Sequence, residues 1–251
     1  MSDWEAVRSV TGPRIDGVEM IGFRDRGGLG LDMRVIPRPV VIVVIEFGDG
    51  LTVEGSTERV LGSLVAGLSP AAARIRGARV ECVELQLSPV AAYSLLGVAL
   101  SDLDDAVIDL DEVCGDDARR LREQLAVTTT WSEAFALTDA FLLRRNVVAE
   151  VDPEVAISWD RIVTSRGRVR ISELAADCGW SRKRLWARFS AQLGLTPKRA
   201  AMLVRFDHAV AGLTAGADTA EVAFACGYAD QSHMYRDVLS FTGRTPAALL
   251  G

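Results

Sequence analysis

The sequence predicts two parts of different class. The front is α+β, a small antiparallel sheet or barrel followed by helices, and the back is all-α, with two helix-turn-helix units on a linker helix. Three observations predict this. Short β-branched runs punctuated by Gly and Pro fill residues 18–87. Residues 170–246 contain one pattern written twice. Charge is divided unevenly, with a net of −11 over residues 1–158 and +5 over residues 159–251.

Taken in order, 18–26 and 31–36 read as strands broken by Gly27-Gly28. Residues 40–47 are the strongest strand, a nearly unbroken β-branched run. The Asp49-Gly50 step then reads as a hairpin turn into Leu51-Thr52-Val53-Glu54. More strand pattern lies in 58–68, and 78–87 alternates well.

From Ser88 the period changes. Residues 89–96 form a helix closed at Gly97, 112–125 reads as one helix, and 130–148 as another, rich in apolar residues. That richness exceeds one buried stripe and suggests a second contact, with the back part of the chain, with a partner subunit or simply within a deep core. Asp102, Asp104, Asp105, Asp109, Asp111 and Glu112 read as solvated and helix-capping acids, because their spacing lacks that of a calcium loop. Pro153 opens a third helix. The boundary expected is 1–150 against 151–251, with Ser165-Arg166-Gly167 an equally good break.

The repeat organises the back part. Glu173, Ala175, Cys178 and Gly179 recur forty-eight positions later as Glu221, Ala223, Cys226 and Gly227. After one extra residue the offset is forty-nine, so Leu185 matches Met234 and Thr196-Pro197 match Thr245-Pro246. Each copy reads as short helix, glycine turn, aromatic corner (Trp180, Tyr228), cap (Ser181, Asp230) and second helix. Between them, residues 197–213 carry Leu203, Phe206 and Val210 at helical spacing.

These features resemble the DNA-binding domain of AraC/XylS-type transcriptional regulators, down to the linker-helix Arg205 and Ala209 and both Gly-x-Thr-Pro endings. The resemblance covers residues 171–250. It implies that the two second helices read DNA in successive major grooves. The residues expected at DNA are Ser181, Arg182, Lys183, Arg184, Trp186 and Arg188 in the first copy, and Gln231, Ser232, His233 and Arg236 in the second. Asp230 and Asp237 dilute the charge of the second helix and make it the weaker reader. The family often carries arginine where Ala187 stands here. Trp186 either packs on a thymine methyl or fills the seam with the linker helix. More loosely, residues 89–125 resemble the sensor portion of such regulators, whose front domains are often cupin-like barrels. That implies a small-molecule effector, a homodimer and RNA polymerase as partners besides double-stranded DNA. The alternatives are a helix-turn-helix module for protein contacts and a DNA-binding protein without effector.

Other classes fit poorly. The only histidines are His208 and His233, so the β part has no imidazole for a metal-dependent cupin. No nucleophile elbow, phosphate loop or dinucleotide fingerprint occurs. Cys82, Cys114, Cys178 and Cys226 form no C-x-x-C pair, and the last two sit at equivalent core positions. No enzyme, metal or cofactor is therefore expected. The longest apolar run, 40–45, is far short of the ~20 residues a membrane helix needs, and the expected location is cytoplasmic.

Overall fold

The β-branched run at residues 41–46 becomes the strand on which the front unit is built. The computed structural model describes residues 4–9, 15–54, 58–68, 73–103, 107–145 and 149–250. They divide into two compact units, residues 1–35 with 40–150, and residues 36–39 with 151–251.

The first unit holds ten described strands: β1 (Trp4–Arg8), β2 (Val18–Asp25), β3 (Leu31–Arg34), β4 (Val41–Glu46), β5 (Leu51–Glu54), β6 (Glu58–Leu61), β7 (Ser63–Ala66), β8 (Arg74–Gly77), β9 (Glu81–Leu87) and β10 (Val107–Asp109). They form a six-stranded sheet ordered β1-β2-β9-β4-β7-β10 and a four-stranded sheet ordered β3-β8-β5-β6. Every pairing is antiparallel. Alternation assigns the faces of the larger sheet. In register across β4 and β9, Val41, Val43 and Ile45 lie beside Leu87, Leu85 and Val83, all buried. Val44, Leu64 and Cys82 share the opposite face, where they meet Leu51, Val53, Leu61 and Ile75 of the smaller sheet. The core of this unit is thus the space between two sheets.

The Asp49-Gly50 step is not a hairpin, contrary to its sequence signal. β4 pairs with β7 and β9, whereas β5 pairs with β6 and β8. The segment is a corner that hands the chain from one sheet to the other. The buried Glu46 carboxylate makes it, accepting the backbone N–H of Gly48 at 2.7 Å and of Gly50 at 2.8 Å. Arg79 holds Asp49 from the other side at 2.8 Å. Side-chain hydrogen bonds to the loop backbone have overridden the local turn preference.

Helices α1 (Pro89–Leu96), α2 (Leu110–Cys114), α3 (Asp116–Leu125) and α4 (Trp131–Arg145) follow. Ser88 caps α1 and Gly97 closes it. The single helix expected at 112–125 is two, because Gly115 at φ +58° breaks it. Asp109 caps α2, accepting from Asp111 N at 2.9 Å, while Asp104 and Asp105 lie outside the described residues. The helix expected over 130–148 is described to Arg145, and Val148 falls outside the described residues. Its buried side is a single stripe of Ala134, Phe135, Thr138, Phe141 and Leu142. The apolar surplus expected to make a second contact therefore goes largely into the core, with Leu143, 41% exposed, the main remainder.

In the second unit run α5 (Pro153–Thr164), α6 (Ile171–Asp177), α7 (Arg182–Leu193), α8 (Pro197–Thr214), α9 (Thr219–Ala225), α10 (Gln231–Thr242) and α11 (Pro246–Leu250). Among the described residues no helix is long and apolar enough to cross a membrane.

Gly22 gives a direct test of packing in the first unit. A Cβ there would lie 2.4 Å from the Trp131 ring, which also stacks under Arg24. Gly22→Ala is expected to destabilise the fold by about 1–3 kcal/mol, read as a lowered denaturant midpoint. An unchanged midpoint would mean that the Trp131 ring shifts without cost.

Candidate nucleic-acid interface

The two copies of the repeat share the same backbone turn after their first helix, and the second copy has one more residue before its cap. After α6, Gly179 adopts φ +65°, and after α9, Gly227 adopts φ +76°, conformations that favour glycine. The next residue then reaches back into the helix, Trp180 N to Ala175 O and Tyr228 N to Ala223 O, both at 2.9 Å. Ser181 caps α7 through Arg184 N at 3.2 Å, and Asp230 caps α10 through His233 N at 2.7 Å. Leu185, Phe189 and Leu193 are the buried side of α7, and Met234, Val238 and Phe241 that of α10. These side chains leave one face of each second helix in solvent.

On α7 all of the expected residues, Ser181, Arg182, Lys183, Arg184, Trp186 and Arg188, are exposed. Trp186 is 55% exposed, so it does not fill the seam with α8. Arg184 and Arg188 are exposed and also have partners within the protein. The Arg184 guanidinium stacks on the Trp180 ring, 4.4 Å from its centroid. Arg188 grips Asp152 with both arms, Nε and Nη2 donating at 2.6 and 2.8 Å. Asp152 stands just before α5, and its own N–H donates to the Gln192 side-chain oxygen at 3.1 Å. The Arg188 guanidinium holds the Asp152 carboxyl below the usual carboxylate range, and Gln192 adds to the effect.

On α10, Gln231, Ser232 and Arg236 are exposed, with Arg236 Nε donating back to Ser232 O at 3.3 Å. His233 is half-buried, its ring edge-on to Tyr228 with centroids 5.2 Å apart. Asp237 does not dilute the charge of the exposed face as its position in the sequence suggested. It is buried and turns to α8, where Arg205 Nη2 donates to it at 3.4 Å. Arg205 also stacks on Tyr228, 4.8 Å from the ring centroid, and burial pushes the Tyr228 hydroxyl pKa up. Asp230 is occupied at the helix N-terminus, where its charge favours the dipole.

One exposed residue was missed from the sequence. Tyr235, 41% exposed, lies one position after Met234, as Trp186 lies one position after Leu185. Each second helix therefore presents an aromatic at the same repeat position. The signal was legible in the forty-nine-residue offset.

The frame between the copies is tight. Thr196 caps α8 through Arg199 N at 3.1 Å. Phe206 of α8 meets Phe241 of α10 with ring centroids 4.9 Å apart, and Arg199 covers Phe241 at 4.0 Å. Among the described residues no group of three or more His, Cys, Asp or Glu is placed to hold a metal ion. All four cysteines are free thiols.

Residues 174–251 match the helix-turn-helix domain family model. Similar solved structures include ToxT from Vibrio cholerae at 12% identity, covering 94% of this chain and 98% of that one with a TM-score of 0.52. ToxT from the O395 strain bound to (E)-4-(8-methylnaphthalen-1-yl)but-3-enoic acid matches at 10% identity, 94% and 98% coverage and TM-score 0.52. The unsaturated-fatty-acid-bound ToxT from strain SCE256 matches at 10% identity, 93% and 94% coverage and TM-score 0.50. At such identities the likeness is one of fold, a sheet-bearing front unit followed by a helical back unit. No curated protein sequence matches the chain.

The Arg205–Asp237 pair carries the sharpest stability expectation. Asp237→Ala strands a guanidinium whose side chain is 16% exposed. The loss should be about 3 kcal/mol or more, seen as a lowered melting temperature of the second unit. A variant as stable as the parent would show that water replaces the carboxylate.

Proposed function

We propose that residues 174–251, which match the helix-turn-helix domain family model, are the AraC-type DNA-binding part of a transcription regulator, and that the chain binds duplex DNA sequence-specifically through α7 and α10. The observation that carries the reading is the pair of equivalent solvent faces, each with donors at the helix N-terminus and one aromatic a turn further on. Arg182 and Lys183 offer guanine and phosphate donors, Gln231 suits adenine, and Trp186 and Tyr235 offer apolar contact to thymine methyls. Ser232 and Arg236 approach phosphate. Arg184 and Arg188 serve the flank of α7, and His233 packs the corner of the second copy. Because α8 is rigidly packed against both copies, the two faces fall in successive major grooves, roughly 34 Å apart on one side of the duplex.

The first unit gives this reading its regulatory half. Its charge of −11 over residues 1–158 does not suit phosphate. The fatty-acid-bound ToxT has the same order of units, which supports an effector bound by the first unit here. A mostly apolar groove of about 280 Å³, lined by Ile15, Val90, Ala91, Leu95, Leu142 and Leu143 with Asp16 and Ser94 among them, is a place for one. A heat-stability screen of the whole chain against small molecules tests this half, and no gain from any of them would leave the unit without a sensing role.

Selection of bound fragments from random duplexes by the full chain tests the DNA half. A shared motif with two half-sites is expected, and binding should weaken steeply as salt rises. Arg182→Ala or Lys183→Ala, whichever residue reads a base, should cost about 1–3 kcal/mol and relax one position of the motif. Salt-insensitive binding, or no enrichment, would turn the reading towards a protein-contact module.

A further inference from the structure

The flank of α7 repays comparison with α10. Under the forty-nine-residue offset Arg188 of α7 corresponds to Asp237 of α10. Both make an ion pair, and both make it with the segment that precedes their own helix-turn-helix unit. Arg188 reaches Asp152 at the start of α5, and Asp237 reaches Arg205 of α8. The charges are exchanged between the copies, acid and base having traded helices. Asp237, its side chain 7% exposed, is turned inward and reads no base, while Arg188, 52% exposed, is tied to Asp152. An anchoring role explains both, because an ion pair holds equally well in either polarity. The other contacts agree. Gln192, buried one turn beyond Arg188, accepts from Asp152 N, so three groups converge on one seat. Asp152 lies twenty-two residues ahead of the helix-turn-helix match at 174–251.

We propose that Asp152 is a positioning residue of the first DNA-reading helix, anchoring Arg188 so that α7 is held at its working angle and the Arg188 charge is kept from DNA. This rests on the DNA-binding reading above. The bidentate contact ties the guanidinium to Asp152 just before α5 while the Arg188 side chain stays 52% exposed. The DNA-reading unit then begins at Asp152, and each reading helix has an anchor supplied by the segment before its unit.

The natural exchange in the second copy suggests the test. Three full-length variants are compared, Arg188→Asp, Asp152→Arg, and the double exchange, by thermal melting and by titration with a selected duplex. Each single change sets like charges together and should lower the melting temperature. The double exchange should restore it and should also restore specific binding to within about threefold, with an unchanged salt slope. If the double exchange regains stability while binding stays more than about tenfold weaker, or the slope falls by about one, Arg188 itself contacts DNA and the proposal is wrong. If neither single change moves the melting temperature, the anchor does not exist. The melting arm judges the pair even where the parent chain binds no duplex, an outcome that would instead sink the DNA-binding reading.

Discussion

The second unit depends on one interaction, the ion pair between Arg205 and Asp237. Side-chain exposures of 16% and 7% place both charges largely out of water. A pair so withdrawn adds little net stability against apolar residues of the same shape, yet it tolerates no alternative geometry, since either charge left alone is heavily penalised. Stacking of Arg205 on Tyr228 brings the turn of the second copy under the same constraint. A single guanidinium thus ties the linker helix, the corner and the second reading helix. It joins α8 to α10 beside the Phe206–Phe241 contact.

Around that pair, small residues and caps do the local shaping. Ser181, Thr196, Asp218 and Asp230 each satisfy N–H groups at the start of a helix, so four consecutive helices begin where their side chains dictate. The first unit works by other means. Its two sheets share an apolar interior, and the passage between them is governed by Glu46, a buried acid pushed up in pKa by its burial yet bonded to the loop backbone. Polar groups here choose a path, and apolar groups supply the cohesion.

The repeat made the second unit readable at the level of elements. Glycine turns, capping residues and buried positions follow local rules, and each rule appears twice in the text. What escaped were side-chain directions that depend on a partner far away in sequence. Asp237 looked like a surface charge because nothing nearby reveals Arg205 thirty-two residues earlier, and the partner of Arg188, Asp152, lies thirty-six residues earlier. The same holds in the first unit. Asp49-Gly50 has the local signature of a hairpin, but the strand order across two sheets decides what it joins, and strand order is a non-local property. Gly115, by contrast, was a break that local rules could have found, as a glycine in the middle of a helical pattern.

Two modules of one design in one chain present each reading helix with two seats of similar shape. The exchanged polarity of their anchors distinguishes those seats. With α7 in the seat of α10, Arg188 would face Arg205. With α10 in the seat of α7, Asp237 would face Asp152. Both wrong assemblies bring like charges together, most costly at the withdrawn Arg205 seat, while both correct ones neutralise. A duplicated module that later inverted one ion pair would have acquired, in that single exchange, a means for each half to recognise its own place in the chain.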